Sequence, residues 1–274
     1  MARATLSSPT AVLVIGLVLF LLTLQTAAAD QANVFIYHRF GDARFPSTNI
    51  SSRDFQSHLE ILHRLGFTVF TLGQILDKIR HGESLPQRCA AITVDDAFRS
   101  FLTSGWPALK SYGFPATLFV STDLVGGGDY LDWQELKTLR HEGVELGNHS
   151  ASHAYLLDGD KDEDWAARVR QDIGRAQRAF ASNLGFKPRL FAYPYGEFSP
   201  EHVELVRQAG FDAAFGQQSG VLTPDQDLFR LPRFPMGGVY ADADDFKDKL
   251  FMRHLPVEVL APKTTLVGVC LLYT

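Results

Sequence analysis

The sequence predicts an α/β fold, a distorted parallel (β/α) barrel of about seven strands. Three features carry that prediction. One phrase recurs: HRLGFTVF, KSYGFPATLF, RHEGVELG, SNLGFKPRLFAY and RQAGFDAAF each run from a helix-like segment through a Gly to an apolar residue that opens a β-rich stretch. A Gly after the last helical turn adopts the left-handed conformation at little steric cost, and the next apolar residue folds back onto the helix, so each phrase reads as helix stop and strand start. Several of the β-rich stretches are apolar without alternation, as strands buried on both faces are. Finally, the polar residues His38, Asp95, Asp96, Thr122, His149, His153, Tyr195 and Arg233 fall at or just past the ends of these stretches, where a barrel gathers its chemistry. A doubly wound sheet is the other arrangement that such a βα rhythm permits.

The elements follow in order. Residues 1–29 read as a secretory leader: Arg3 gives a positive start, AVLVIGLVLFLLTL is an apolar stretch, and TAAAD offers a small-residue cleavage site after Ala29. The stretch is shorter than the ~20 residues of a membrane-spanning helix, and no Cys stands at the cut for lipid attachment. Residues 30–255 form one domain, with strands at NVFIYHRF, FTVFTL, CAAITVDD, PATLFVST, VELGNHS, PRLFAYPYG, FDAAFG and FRLPRFPM. Amphipathic helices such as SRDFQSHLEILHRLG and WQELKTLRHEG separate them. His58, His63, His141 and His202 lie on such helices and read as solvated. The glycine-rich GGGDYLDW lacks the Lys and following helix of a phosphate loop and reads as a rim loop, with Tyr130 and Trp133 serving packing or a sugar ring. Residues 256–274 are an apolar tail of unassigned role.

Composition narrows the function. With 46% apolar residues a large single core is available. The formal charge is −5, and removal of the leader, whose one charged residue is Arg3, makes it −6. No basic block occurs, so neither nucleic acid nor nucleotide is the expected partner, and a membrane is met only through an uncleaved leader. Cys89 opens a buried strand and Cys270 lies in the tail, which favours two free thiols over a disulfide. No G-x-S-x-G elbow of a serine hydrolase is present.

Two stretches point to a metal. In ELGNHSASHAYL, His149 and His153 stand four residues apart, a spacing that lets two neutral imidazoles face one ion, zinc above all. In AAITVDDAFRS an apolar strand ends in two carboxylates, Asp95 and Asp96, whose burial without a partner would be costly. In a regular strand the two would point to opposite faces, so they share one site only if the backbone turns there. Two His and one Asp then leave coordination positions open for water, and the second Asp is free to act as a base.

TVDD, HSASH and FAYPYG resemble, in the same order, three motifs of the polysaccharide deacetylases of carbohydrate esterase family 4, over roughly residues 34–236; FIYHRF and PSTNIS are similar to its secreted biofilm-polysaccharide branch. The resemblance implies an exported hydrolase of carbon–nitrogen bonds other than peptide bonds, periplasmic or extracellular. It would remove N-acetyl groups from a poly-N-acetylglucosamine-like, chitin-like or peptidoglycan polymer. It further implies that Asp96, His149 and His153 hold one divalent metal, that Asp95 is the general base, and that the backbone N–H at Tyr195 steadies the oxyanion. Two motif residues are missing. The family's Arg falls on Ala192, leaving Arg99 or Arg233 to orient the base, and the late leucine-x-histidine is absent. His38 is the candidate general acid; the plainer readings are a structural histidine or a water-mediated metal contact. A sugar-binding protein with a decayed site and a small-molecule amidohydrolase are the competing functions.

Overall fold

In the computed structural model, residues 30–155 and 164–253 are described. The leader at 1–29 and the tail at 256–274 with Cys270 lie outside the described residues. The strands are β1 (Ala32–Tyr37), β2 (Arg39–Phe40), β3 (Asn49–Ile50), β4 (Thr68–Phe70), β5 (Cys89–Val94), β6 (Thr117–Val120), β7 (Glu145–Asn148), β8 (Leu190–Ala192), β9 (Ala213–Phe215) and β10 (Phe234–Pro235). The helices are α1 (Ser52–Arg64), α2 (Leu72–Arg80), α3 (Trp106–Ser111), α4 (Trp133–His141), α5 (Trp165–Leu184), α6 (Pro200–Gln208) and α7 (Ala243–Phe251).

All eight sequence-predicted strands are present, and the main sheet is wholly parallel in the order β10-β1-β5-β6-β7-β8-β9. The sheet curls into a barrel distorted in two places. β4 pairs only with the first half of β5, at Cys89 to Ala91, and β6 takes the second half at Thr93 and Val94. Between β9 and β10 the ring is carried by one parallel bridge, Phe215 to Leu231, after which the chain passes directly to β10 beside β1. The stretch FTVFTL gives a shorter strand than its composition suggests. Thr71 ends it by capping α2, its side chain accepting from Gln74 N while Gln74 bonds back to Thr71 N, a reciprocal pair that nucleates the helix.

The period of two decides what each strand shows to either face. Phe35, Tyr37, Ile92, Val94, Leu118 and Val120 face outward and are covered by Phe55, Leu59 and Leu62 of α1 and by Phe246 and Leu250 of α7. Ala32, Val34, Ala91, Phe119, Leu190, Ala192, Ala213 and Phe215 fill the interior with Leu72, Ile75 and Leu76 of α2. α2 closes the N-terminal end of the strands: Leu72 N donates to Thr117 Oγ1 at 3.0 Å and Gly73 N to Glu145 Oε2 at 2.9 Å. Gly147 must lack a side chain, since a Cβ there would stand 2.4 Å from the Phe119 ring. By the same alternation Thr93 and Asp95 point inward at the other end, where the chemistry lies.

Two helical histidines depart from the sequence reading. His63 and His141 are exposed as expected, but His58 and His202 are buried. His58 Nε2 donates to Ala241 O at 3.1 Å, its Nδ1 accepts from Tyr37 Oη at 3.1 Å, and the ring stacks on Phe246. His202 packs its ring edges against Trp165 and Tyr193, with no hydrogen-bond partner for either nitrogen. A helical period cannot separate a polar position that faces solvent from one that a neighbouring element covers. Cys89 is a buried free thiol, pushed up to about 12 by burial. Trp133 sets its ring edge-on to Phe180 and Tyr130 stacks on Phe98, which is packing. Among the described residues no helix is long and apolar enough to cross a membrane.

Candidate active site

The backbone does turn at the end of β5. Asp95 N still donates to Tyr37 O at 2.9 Å, but Asp96 and Ala97 follow with φ of 70° and 60°. Two consecutive non-Gly residues in the left-handed region cost roughly 1–2 kcal/mol each. The turn is pinned from outside, Leu131 N donating to Ala97 O at 2.9 Å from the rim loop that GGGDYLDW forms. Asp95 and Asp96 thereby reach one space.

HSASH is a tight loop after β7. His149 N bonds Val120 O; Ser150 and His153 have φ of 66° and 55°. Asn148 Oδ1 accepts from Ser150 N and Ser150 Oγ from His153 N. A residue that the sequence reading missed completes the support: Asp172 of α5, buried, accepts from Ala151 N at 3.0 Å and Ser152 N at 3.2 Å, and Arg175 holds it in turn at 2.7 Å. Its one signal in the sequence is an acid set in the apolar stripe of Val169, Ile173, Ala176 and Phe180.

The ligand atoms of Asp96, His149 and His153 lie within 4.8 Å of one another. His149 Nδ1 donates to Ala192 O at 2.8 Å, so its Nε2 carries a lone pair, and this faces Asp96 Oδ1 at 3.5 Å. Asp96 Oδ1 is buried with no hydrogen-bond donor, although His153 Nε2 approaches to 3.1 Å. Acceptors aimed at one another in a buried pocket fit a cation, and two nitrogens with one oxygen fit a borderline divalent ion such as zinc. Burial holds the His149 imidazole below its ordinary pKa, against the pull of Asp95 and Asp96. Burial pushes Asp96 up, and His153, His149 and His38 more than offset it, leaving a carboxylate well below the usual range.

Asp95 is 2% exposed. Arg233, fully buried, grips it with Nη1 to Oδ1 at 2.7 Å and Nη2 to Oδ2 at 2.8 Å, while its Nε donates to Gly216 O at 2.9 Å. A planar fork of this kind fixes a carboxylate in position as well as in charge. Burial raises the Asp95 carboxyl, Arg233 and then His149 lower it further, and the net shift is downward. Arg99, the other candidate, is spent on Glu135 and Tyr130 O. Of the two arginines, Arg233 is the one that meets Asp95.

His38, Asp95, Asp96, His149, His153 and Tyr195 all line one cavity of about 490 Å³ at the C-terminal strand ends. His38 is half-buried there, and its side chain makes no hydrogen bond among the described residues. Tyr195, with φ 61°, sets its ring 4.8 Å from that of His153. Gly196 follows at φ 73°, where a Cβ would meet Gln217 Cβ at 2.2 Å, so only glycine lets this turn approach. Thr122 stays outside the cavity, on the flank, its N donating to Ser150 O.

The family model described as polysaccharide deacetylase matches residues 82–214, a span that holds Asp95, Asp96, His149, His153 and Tyr195. Over that span the chain is similar to a polysaccharide deacetylase domain. His38 and Arg233 lie outside the matched span and join the domain's site through β1 and the approach to β10. A poly-beta-1,6-N-acetyl-D-glucosamine N-deacetylase of Staphylococcus epidermidis is 25% identical over 213 residues, covering 74% of this chain and 73% of that protein. The solved structure of IcaB from Ammonifex degensii is 25% identical, covers 79% of this chain and 96% of its own, and superposes with a TM-score of 0.69. The Streptococcus pyogenes deacetylase PplD, solved with acetate, shares the fold at a TM-score of 0.72 and 15% identity, over 82% of this chain and all of its own.

Proposed function

We propose that this chain is an exported, metal-dependent N-deacetylase that acts on an amino-sugar polysaccharide of the poly-β-1,6-N-acetyl-D-glucosamine kind. The observation that carries the reading is the convergence of Asp96, His149 and His153 beside a carboxylate clamped by Arg233, in an open cavity at the rim. Asp96, His149 and His153 would hold one divalent ion, Zn²⁺ first by donor chemistry, and such an ion supplies Lewis-acid polarisation and lowers the pKa of water. Asp95 takes the proton of the attacking water; Arg233 keeps it ionised and aimed. The Tyr195 backbone N–H, on its left-handed turn, stabilises charge on the carbonyl oxygen. His38 gives a proton to the departing amine as the C–N bond breaks, leaving acetate and a free amino sugar. The substrate class is supported by the likeness to the Staphylococcus enzyme, and export by the leader read at residues 1–29.

Acetate release from acetylated β-1,6-linked, β-1,4-linked and peptidoglycan oligomers, measured on chelator-treated and zinc-reloaded protein, tests this. The expected result is release that is fastest on the β-1,6 oligomer, lost with chelator and restored by zinc. Zinc-loaded protein inert on all three polymers would overturn the reading.

A further inference from the structure

The end of the sheet opposite the rim carries a second concavity. A cavity of about 630 Å³ lies between α5 and the segments that lead into β8 and β9. It adjoins one of about 230 Å³, with which it shares Lys187, Pro188 and Arg189 as a common wall. Pro188 and Arg189 immediately precede β8, so this groove runs beneath the N-terminal strand ends, away from Asp95 and His149.

Its floor is apolar and its edge cationic. Ile173 and Leu205 on the floor are buried. Arg170 and Arg178 from α5 and Lys187 from the turn after it are exposed, and none makes an ion pair among the described residues. Arg189 is different, its charge met by Asp77 at 2.6 and 2.7 Å. Arg140 continues the row along the smaller cavity, lying 4.0 Å over the Phe186 ring. Among the described residues no acidic side chain lines the larger cavity, and Glu145, which lines the smaller, accepts from Gly73 N and Thr117 Oγ1. Nothing of this is visible in the chain order, where these cations are scattered through a net acidic sequence; the packing of α4, α5 and the β8 approach collects them.

Unpaired cations along a surface attract a polyanion by charge and by release of its counterions. A row spread over two joined cavities suits a polymer with repeated charges better than a single ion. A concave floor suits a chain better than a flat bilayer. The aromatic ring that lines it, Phe186 in the smaller cavity, is half-buried and covered by Arg140, and none of the exposed aromatic side chains Phe45, Tyr195, Tyr240 and Phe251 lines the groove, so it lacks the row of open rings on which single-stranded nucleic acid stacks. The apolar floor matches the C–H faces of sugar rings. We propose that this groove binds an acidic polysaccharide, one that bears carboxylate or phosphate groups along its length, as a second glycan site that tethers the protein while the rim cavity stays free. The inference does not rest on the deacetylase reading, since it concerns binding at the other end of the sheet.

Titration calorimetry of the full chain with oligogalacturonate tests it, with a neutral oligosaccharide of equal length, a single-stranded DNA oligomer and phosphatidylglycerol vesicles as comparisons. Oligogalacturonate is expected to bind, more weakly as salt rises, and more tightly than the other three. The charge reversals Arg178→Glu and Lys187→Glu should each weaken it about tenfold or more, and Arg140→Glu should weaken longer oligomers most. Acetate release from a short neutral oligomer should be unchanged in all three variants. Equal binding of the neutral sugar, tighter binding of DNA or vesicles, or indifference to the charge reversals would overturn the proposal.

Discussion

At Asp95 one carboxylate is buried, paired and still open on its second lone pairs toward the cavity, which is what a positioned base requires. Its neighbour Asp96 has an oxygen that meets only the two imidazoles, His153 Nε2 at 3.1 Å and His149 Nε2 at 3.5 Å. The two adjacent acids are thus given different work by their surroundings, and a pair of substitutions tells them apart. Asp95→Asn is expected to abolish turnover while bound metal, read by elemental analysis, stays near one per chain; Asp96→Asn is expected to lose the metal as well. Metal lost from the Asp95 variant would exchange the two roles. The proposed mechanism takes His38 as the acid because its imidazole lines the cavity and makes no hydrogen bond among the described residues. For His38→Gln we expect amide turnover to fall ~10²–10⁴-fold, the usual worth of one general acid, with a smaller fall for an acetyl ester, whose alcohol needs a proton less. Equal losses on ester and amide, together with weaker zinc binding, would mark His38 as a metal contact instead.

At the scale of elements, the site is made by three loops that hold left-handed residues against their preference, after β5, β7 and β8. Such strain persists where the surroundings over-determine it. For the β7 loop that surrounding is a helix: Asp172 of α5 receives two loop amides, and Arg175 braces it. Asp172→Ala should leave α5 folded and weaken zinc affinity ~10–100-fold, the range seen when support behind a ligand is removed. Competition with a chelator measures that change. An unaltered zinc affinity would show that Asn148 and Ser150 hold the loop unaided.

The whole molecule sets how the protein answers acid. His58 and His202 are buried, and burial lowers each to about 4 from the ordinary 6.5. Between those values the unfolded chain binds protons that the folded chain refuses, so stability falls as pH drops from about 6.5 to about 4, by roughly 3 kcal/mol for each histidine over the full window. Urea denaturation at pH 7 and at pH 4.5 should reveal the loss. His202→Leu, which also removes two unpartnered nitrogens, should cut it markedly. An equally steep loss in that variant would place the acid sensitivity elsewhere. These burials belong to the closed assembly: His58 is enclosed by β1 and α7, which come from opposite ends of the described chain.

The βα rhythm, the strand stretches and the closeness of His149 to His153 were legible because they depend on local rules. Gly66, Gly113, Gly143, Gly185 and Gly210 end their helices in the left-handed conformation, unalternated apolar runs go to doubly covered strands, and HSASH keeps its two imidazoles close in any tight loop. The length of β4 was overestimated because the capping of α2 by Thr71 ends it early. Partnerships across the chain could not be read in this way. Arg233 reaches Asp95 over a separation of 138 residues, and sequence alone left it level with Arg99, which is nearer in the chain but turned toward Glu135. Likewise Asp172, His58 and His202 look like ordinary polar positions on helices until a neighbouring element covers them. Periodicity along a chain specifies which residues share a face. Only closure of the sheet specifies what that face meets, because burial and ion pairing are properties of both surfaces at once.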